Sequence, residues 1–413
     1  MKSVLLLLIV ANACKIYGGC CPQVIMGTGI VTNLFLTTPH RFKGLRQIAM
    51  VFFFGNWALF ALFSLLTVLR YTLYPQTLAL MLRHQVQCLF SGAIPMALAT
   101  LTNATIFIAV PAYGYWAIKL AEVLFWVDVF LTLLSIFGIP ILMFHIHTLS
   151  LDKMTAVWLL PVVPAIVVSV TGALVAQVSS PDTAAIIIVT SYILWGMGIA
   201  LAIIILTLYF HRLAIHCLPN SEVIVSAFVP LGPLGQGTYG ILQLAVACEA
   251  AHLPVLAGPN AVQVIRTISI VTALVMWGFG LWWLVHGATS VWIRAVWGNL
   301  KVTMAFWGLI FPLGVFTAAT GQISVMLTSK FFSYLASVFL VLLTSLWLFC
   351  AFKTVEGVLT QPVLRPPCLS KLQLASSYER ADQDSHQAIS DDSSHGLDGT
   401  VRVHVRRAAS EPI

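Results

Sequence analysis

Ten apolar segments follow one another along the chain, separated by short polar stretches. Because about 20 helical residues cross the hydrocarbon core of a bilayer, each segment predicts one membrane-spanning helix. Several connections barely turn the chain, for example Pro111-Ala112, so the spans are predicted to pair as five helical hairpins. The predicted spans are Cys20–Thr38, Ile48–Leu73, Val86–Val110, Tyr113–Phe144, Met154–Gln177, Ala184–Phe210, Val223–Cys248, Ala261–Val285, Leu300–Thr320 and Phe331–Phe352.

Proline and closely spaced glycine interrupt the odd-numbered spans, whereas the even-numbered spans are largely unbroken. A helix break frees backbone groups, which in lipid are tolerated only where protein or a water-filled cavity receives them. Close helix packing explains the glycines of the even spans, but not why proline keeps to the odd ones. The alternation predicts an inner, kinked set of helices around a pore. The pore-lining or kink candidates are Gly27, Gly29, Pro95, Pro161, Pro164, Pro230, Gly232, Pro233, Gly235, Gly237, Pro312 and Gly314.

Composition agrees with an all-α membrane protein. The 413 residues are 59% hydrophobic and only 8% charged, against about 25% charged residues in soluble domains. The eight cysteines form no CxxC pair and no metal-ligand spacing, so we interpret them as packing residues and predict no metal and no cofactor. The basic excess fits loop charges that set membrane topology, and no nucleic-acid partner is predicted.

Loop charges predict the orientation of the chain. With an even number of spans both termini lie on one side, and the loops of that side hold more Lys and Arg, which favours a cytosolic location for both ends. The basic residues on that side are Arg70, Arg83, Lys153, Arg212, Arg294, Lys301 and Lys353, against Arg41, Lys43, Arg46, Lys330 and Arg266 opposite.

Both ends of the chain differ from the ten-span region 20–353. Residues 1–19 are atypical: they resemble a signal peptide, or a variant first exon fused upstream of the first span. The second interpretation is favoured, because a cleaved leader before ten spans places the tail outside. Residues 354–413 are rich in Ser, Asp, Arg and Pro, which predicts a disordered cytoplasmic tail.

The predicted pore lining is neutral. Glu222 directly precedes the seventh span, and apart from Lys301 at the start of the ninth no Arg, Lys, Asp or Glu falls in an odd span, so hydroxyls and amides supply the polarity. Weak binding suits fast passage of ions. The sign of the ion stays open, because freed carbonyls repel an anion while hydroxyls can donate to one. The polar candidates are Thr28, Thr100, Thr102, Ser169, Thr171, Gln236, Thr238 and Thr317.

Two further residues carry hypotheses. Asp128 lies about midway along the fourth span, and an intramembrane carboxyl is functional by default. Because that span belongs to the outer set, we favour a structural Asp128 that ties neighbouring helices over a proton-linked one, and expect Lys119 to pair with Glu122. Phe311 directly precedes Pro312, and a phenyl ring at a kink can close a narrow pore, although packing is its default role.

The membrane region, from Cys20 to about Val358, resembles the fungal sulfite efflux pumps. Those belong to a wider family that includes bacterial tellurite-resistance proteins, yeast malate permease and plant slow anion channels. The matching stretches are Met26–Val31 (MGTGIV), Leu69–Pro75 (LRYTLYP), Leu80–Thr100, Leu151–Ala176 (containing LDKMTAVWLLP), Phe228–Ile241 (containing PLGPLGQG) and Phe306–Thr320. Residues before Cys20 depart from the family's usual short polar start, and Phe306-Trp307 stands where relatives often have paired tryptophans.

This resemblance implies a quasi-fivefold ring of ten helices around a central pore, occluded by a phenylalanine that corresponds to Phe311. It also implies anion selectivity and a homotrimer. The leading hypothesis is therefore a plasma-membrane channel or transporter that exports sulfite, and the alternative is a malate permease or a chloride- or nitrate-type channel of the same fold. An enzymatic function is disfavoured, because the histidines lie near span ends and their spacing matches no di-iron or haem site. These histidines are His84, His145, His147, His211, His252 and His286.

Overall fold

Helices make up all the regular structure in the part of the chain that the computed structural model describes, residues 21–219, 223–251, 260–297 and 304–360. These residues belong to one unit of the chain, Met1–Pro366. The helices are α1 Cys21–Thr37, α2 Leu45–Leu73, α3 Gln76–Arg83, α4 Ala93–Tyr113, α5 Tyr115–Leu133, α6 Ile139–His145, α7 Val163–Ala176, α8 Pro181–His216, α9 Leu231–Ala250, α10 Ala261–Val296, α11 Trp307–Met326 and α12 Lys330–Thr360. The expected segment 1–19 and the expected tail beyond Thr360 lie outside the described residues.

Seven helical segments are long and apolar enough to cross a membrane, so the protein is an all-helical membrane protein. The helices α1 and α7, with 17 and 14 residues, are shorter, and α9 is also outside this set. The seven segments are Leu45–Leu73, Leu89–Tyr113, Tyr115–His145, Pro181–His216, Ala261–Val296, Trp307–Met326 and Lys330–Glu356.

Burial divides these helices into two sets. All 14 residues of α7 are buried, and the apolar part of Leu89–Tyr113 is 78% buried. The corresponding parts of α2 and α12 are only 17% buried and present large apolar side chains outward. Such exposed apolar faces suit contact with lipid. The segments that hold the predicted prolines and paired glycines are therefore the buried ones.

Contacts between helices follow one repeated scheme. Among the buried helices, α1 contacts α4, α4 contacts α7, α7 contacts α9, α9 contacts α11, and α11 returns to α1. Each of α2, α5, α8, α10 and α12 contacts the buried helix before it and the buried helix after it, with α12 reaching back to α1. The chain therefore repeats one helix-pair arrangement from its first span to its last.

Tryptophan side chains of three outer helices tie them to the next inner helix. The indole Nε1–H of Trp195 on α8 donates to the carbonyl oxygen of Gly237 on α9 at 2.9 Å. In the same way Trp277 on α10 donates to Thr320 Oγ1 on α11 at 3.0 Å. Trp347 on α12 donates to Thr28 Oγ1 on α1 at 3.1 Å. These bonds repeat although the hairpins share no evident sequence repeat, and each satisfies a polar group that lipid would leave unpaired.

The prolines lie at the beginnings of helices, which corrects the prediction that they interrupt them at mid-span. Short 3₁₀ turns precede α4, α7, α9 and α11, and the α-helix begins close to the proline. Pro95, Pro164 and Pro233 fall in first turns, where a helical N–H has no partner to lose. Pro161 precedes α7, and Pro230 caps α9. Only Pro312 of the predicted set lies inside its helix.

Two further boundaries differ from the predictions, and the fourth span contains a π-helical turn. That turn, Leu134–Gly138, lies between α5 and α6, in which Pro140 is near the N-terminus. Helix α4 continues through Pro111, which was predicted to lie in a loop. Helix α12 continues to Thr360, past the expected boundary at Lys353, where Lys353 pairs with Glu356 at 2.8 Å.

Candidate functional site: cavities along the inner helices

A cavity of about 300 Å³ lies where the N-terminal ends of the five inner helices meet. Its wall is mainly apolar, with Gln23, Ser226 and Lys153 among the few polar side chains. We call this cavity the vestibule. The turn that carries Lys153 is held in place by Arg212, whose buried guanidinium donates to the backbone oxygen of Asp152 at 2.9 Å.

Two smaller cavities lie nearer the C-terminal ends of the same helices. The first, the inner cavity, has about 20 Å³, and the second, the outer cavity, has about 140 Å³. They share several wall residues, among them Phe107 and Tyr239. The inner cavity therefore adjoins the outer one.

The outer cavity has amide groups in its wall. Gln177, which directly follows α7, donates to Gln243 on α9 at 3.2 Å, and Gln243 donates to Gln322 on α11 at 3.4 Å. Neutral polar side chains in the wall of the outer cavity therefore join three inner helices.

Phe311 separates the vestibule from the inner cavity. It is the one residue that lines both cavities, and its side chain is only 2% exposed. Among the described residues, no aromatic ring packs against that of Phe311. Phe316, about one and a half turns further along α11, stacks on Trp277, and the centroids of the two rings lie 5.5 Å apart. Phe306 packs against Phe349, with 6.5 Å between the centroids of the two rings. Of Phe306, Phe311 and Phe316, only Phe311 lines these cavities and lacks an aromatic partner among the described residues.

The electrostatic environment of the vestibule is positive. The N-termini of the inner helices carry partial positive charge, and several of them end at this cavity. Lys153 adds a full charge, while no described Asp or Glu lines any of the three cavities. Asp152 lies beside Lys153, and a hydrogen bond from Ser150 lowers the pKa of its carboxyl, yet Asp152 is not part of the wall.

Most of the predicted lining glycines instead mediate helix packing. A methyl group on Gly235 would lie 2.8 Å from the backbone nitrogen of Phe316, so α9 approaches α11 backbone to backbone. Gly29 lies against Thr100 and Gly314 against Ile30. Among the predicted glycines and prolines, only Gly232 and Pro312 line a cavity. The others, which do not, are Gly27, Gly29, Pro95, Pro161, Pro164, Pro230, Pro233, Gly235, Gly237 and Gly314.

The polar candidates divide in the same way. Thr100, Gln236 and Thr317 line the inner or outer cavity. Thr28, Thr102, Ser169, Thr171 and Thr238 line none of the three, and most of them bond within their own helix or to a neighbouring helix. Other wall residues were not predicted from the sequence. Asn33 and Asn103 could have been, because each is an amide side chain inside an apolar segment. The missed polar wall residues include Asn33, Asn103, Tyr239, Gln177, Gln243 and Gln322.

Asp128 lies away from this path. It is fully buried on α5, lines none of the three cavities, and neither carboxylate oxygen has a hydrogen-bond partner among the described residues. The expected tie to neighbouring helices is therefore absent from the structure. The other expectation for this span agrees with it: Lys119 Nζ lies 2.7 Å from Glu122 Oε2, and the Lys119 side chain is 44% exposed.

This helical membrane protein encloses cavities between its buried helices. Lys153 and the helix N-termini make the vestibule positive, and the phenyl ring of Phe311 lies between the vestibule and the inner cavity. These are features of a channel or transporter. The family described as SLAC1, voltage-dependent anion channel, matches residues 23–355, and the chain belongs to this family. Within the described residues no group of His, Cys, Asp and Glu is arranged to hold a metal ion.

Individual relatives agree with this assignment. The chain is 38% identical over 346 residues to a protein of Arthroderma benhamiae named sulfite efflux pump SSU1, covering 83% of this chain and 91% of that one. It is 39% identical over the same shares to a protein of that name from Trichophyton rubrum. The malic acid transport protein of Schizosaccharomyces pombe is 21% identical, over 84% of this chain and 78% of its own length. These relatives are transport proteins.

Proposed function

We propose that the protein exports sulfite from the cytosol through a pore along the axis of its inner helices. Its ten helices would form a quasi-fivefold ring of five hairpins. Support comes from the repeated contacts, which run from α1 through α4, α7, α9 and α11 back to α1. The three cavities lie along these same helices. Buried irregular backbone next to a cavity is what a lipid environment permits.

Phe311 is the proposed gate of this pore. Its position between the vestibule and the inner cavity is the single observation that most supports the proposal. An apolar constriction stops ions by excluding water, so a ring that turns aside opens the path without any change in charge. Pro312 lies directly behind it inside α11, where its missing N–H loosens the local backbone.

An anion is the proposed cargo. Helix N-termini and Lys153 at the vestibule favour negative charge, and no described acidic residue lines the path. The neutral wall beyond Phe311 holds an ion weakly enough to release it. The helix N-termini and Lys153 thus support a negative sign for the ion, which the residue types alone left open.

Sulfite is favoured among small anions because of the relatives. Proteins named as sulfite efflux pumps are 38% and 39% identical to this chain, against 21% for the malic acid transport protein. The location that fits sulfite export is the plasma membrane. The vestibule would then face the cytosol, together with both termini, and assembly as a homotrimer is part of the same proposal.

A flux panel in liposomes tests this function. Purified protein is reconstituted, and fluxes of sulfite, malate, nitrate and chloride are compared with and without a pH gradient. We expect sulfite to move faster than malate and to do so without an imposed proton gradient. Preference for malate would replace sulfite export by the permease alternative. Absence of any anion flux above protein-free liposomes would contradict the proposal.

A further inference from the structure

Three amide side chains meet in the inner cavity, directly behind Phe311. Asn33 of α1, Asn103 of α4 and Gln236 of α9 all line it, and each is more than nine-tenths buried. In each amide the carbonyl oxygen has no hydrogen-bond partner among the described residues. A buried polar atom without a partner is costly, so three at one cavity indicate a ligand that supplies the missing donors.

The two threonine hydroxyl groups of this cavity cannot supply those donors. Thr100 Oγ1 donates to the carbonyl oxygen of Ala97 at 2.8 Å, and Thr37 Oγ1 donates to that of Asn33 at 2.9 Å. Each hydroxyl has only one proton, so both present acceptor lone pairs to the cavity. One amide N–H of Asn33 is likewise used, on the carbonyl oxygen of Thr100 at 3.1 Å. Neither threonine hydroxyl therefore has a proton left for the three unpartnered amide oxygens.

We propose that this amide site selects monoanions of oxyacids that keep one acidic proton. Such an ion donates its O–H to an amide oxygen and accepts amide N–H groups at its other oxygens. A dianion, a halide or nitrate brings no proton and leaves the amide oxygens unpaired. This inference rests on the proposed anion transport and narrows its substrate class to the hydrogen-bearing form, hydrogensulfite in the case of sulfite.

The size of the cavity links selection to gating. About 20 Å³ holds about one water molecule, so an oxyanion coming from the vestibule enters only when the Phe311 ring moves out of the cavity wall. The amide site thus receives an ion from the vestibule only when Phe311 moves aside. By then the ion has lost its contact with bulk water. Hydrogen-bond complementarity has its largest effect on selectivity under such desolvated conditions.

Hydrogen carbonate and nitrate are matched probes for this site, because both are planar monoanions and only hydrogen carbonate carries a proton. Their permeability ratio is measured from reversal potentials with one ion on each side of a bilayer, using full-length protein with Phe311→Ala to keep the path open. Asn103→Leu and Gln236→Met, which remove an amide at similar volume, are each added to this protein. We expect each to lower the hydrogen carbonate to nitrate ratio about fivefold or more.

Asn56→Leu is the matched control. Asn56 is also a buried amide with an unpartnered oxygen, but it lies on α2 and lines none of the three cavities. We expect it to leave the ratio unchanged. A ratio unchanged in Asn103→Leu and Gln236→Met, with currents intact, would overturn the amide site while leaving anion transport standing. Loss of all anion current in the Phe311→Ala protein itself would instead contradict the proposed function.

Discussion

The side chain of Phe311 illustrates how two identical residues on one helix differ in role. Phe316 is fixed by its stack on Trp277, whereas Phe311 touches two cavities and has no aromatic partner among the described residues. Sequence could place Phe311 before Pro312, but its choice over Phe306 and Phe316 rested on family resemblance. The sequence around these phenylalanines does not distinguish them, because aromatic partners on α10 and α12 determine which ring is fixed.

Replacing Phe311 with Ala is expected to raise basal anion conductance several-fold, because the vestibule and the inner cavity would then join into one water-filled path. Conductance of the purified variant in planar bilayers measures this. Phe306→Ala is the control: it removes a buried phenyl group from a neighbouring position that lines none of the three cavities. Equal conductance of the Phe311 variant and the unaltered protein would remove Phe311 from gating.

The Asp128→Asn variant is expected to change folding yield more than ion selectivity. Its carboxyl is buried without a hydrogen-bond partner among the described residues and lies outside the three cavities, so neutralising it changes the free energy of burying this side chain and leaves the cavity walls intact. Yield in detergent and the sulfite to nitrate flux ratio at two pH values are the measurements. A well-folded variant that lost the pH dependence of flux would assign Asp128 a proton-linked role instead.

At the scale of helices, sequence located the breaks but not their form. Pro164 and Pro233 were predicted at mid-span because apolar composition cannot distinguish a 3₁₀ turn from the α-helix that follows it. The glycines posed the opposite problem. Gly235 and Gly314 were expected to line the pore, yet a missing side chain serves close packing equally well. Only the positions of α11 and α1 decide between these roles.

Gly235→Ala is expected to destabilise the protein by about 1–3 kcal/mol, because the added methyl group meets the α11 backbone at Phe316, which cannot move as a flexible side chain would. Thermal unfolding in detergent reports the effect. Gly278→Ala serves as the control, since nothing lies within 4 Å of a methyl group there. An unfolding temperature for Gly235→Ala at or above that of the unaltered protein would show that α9 and α11 are less closely packed.

At the scale of the whole molecule, the division into buried and exposed helices was predictable, because proline is concentrated in alternate segments. The amide site was not. Asn33, Asn103 and Gln236 lie on different hairpins, and each alone is a single polar residue in an apolar stretch. Their convergence depends on the order in which the inner helices contact one another, which no local pattern contains.

Sided chemical labelling tests that arrangement as a whole. In protein with its native cysteines replaced, Ser226→Cys reports on the vestibule and Gln322→Cys on the outer cavity. A membrane-impermeant thiol reagent should modify Ser226→Cys only from the cytosolic side and Gln322→Cys only from the other, because Phe311 separates the two cavities. Val341→Cys, on the exposed face of α12, should react only with a lipid-soluble reagent.

Adding Phe311→Ala to these variants should let a small charged reagent reach each cysteine from the opposite side as well. That result requires one continuous path with a single barrier. Separate surface clefts would not let the reagent reach a cysteine from the opposite side. Modification of both cysteines from the same side while Phe311 is present would show that another route connects the cavities. A reversed sidedness would keep the pore but turn the vestibule, and with it the positive helix ends and Lys153, toward the outside of the cell.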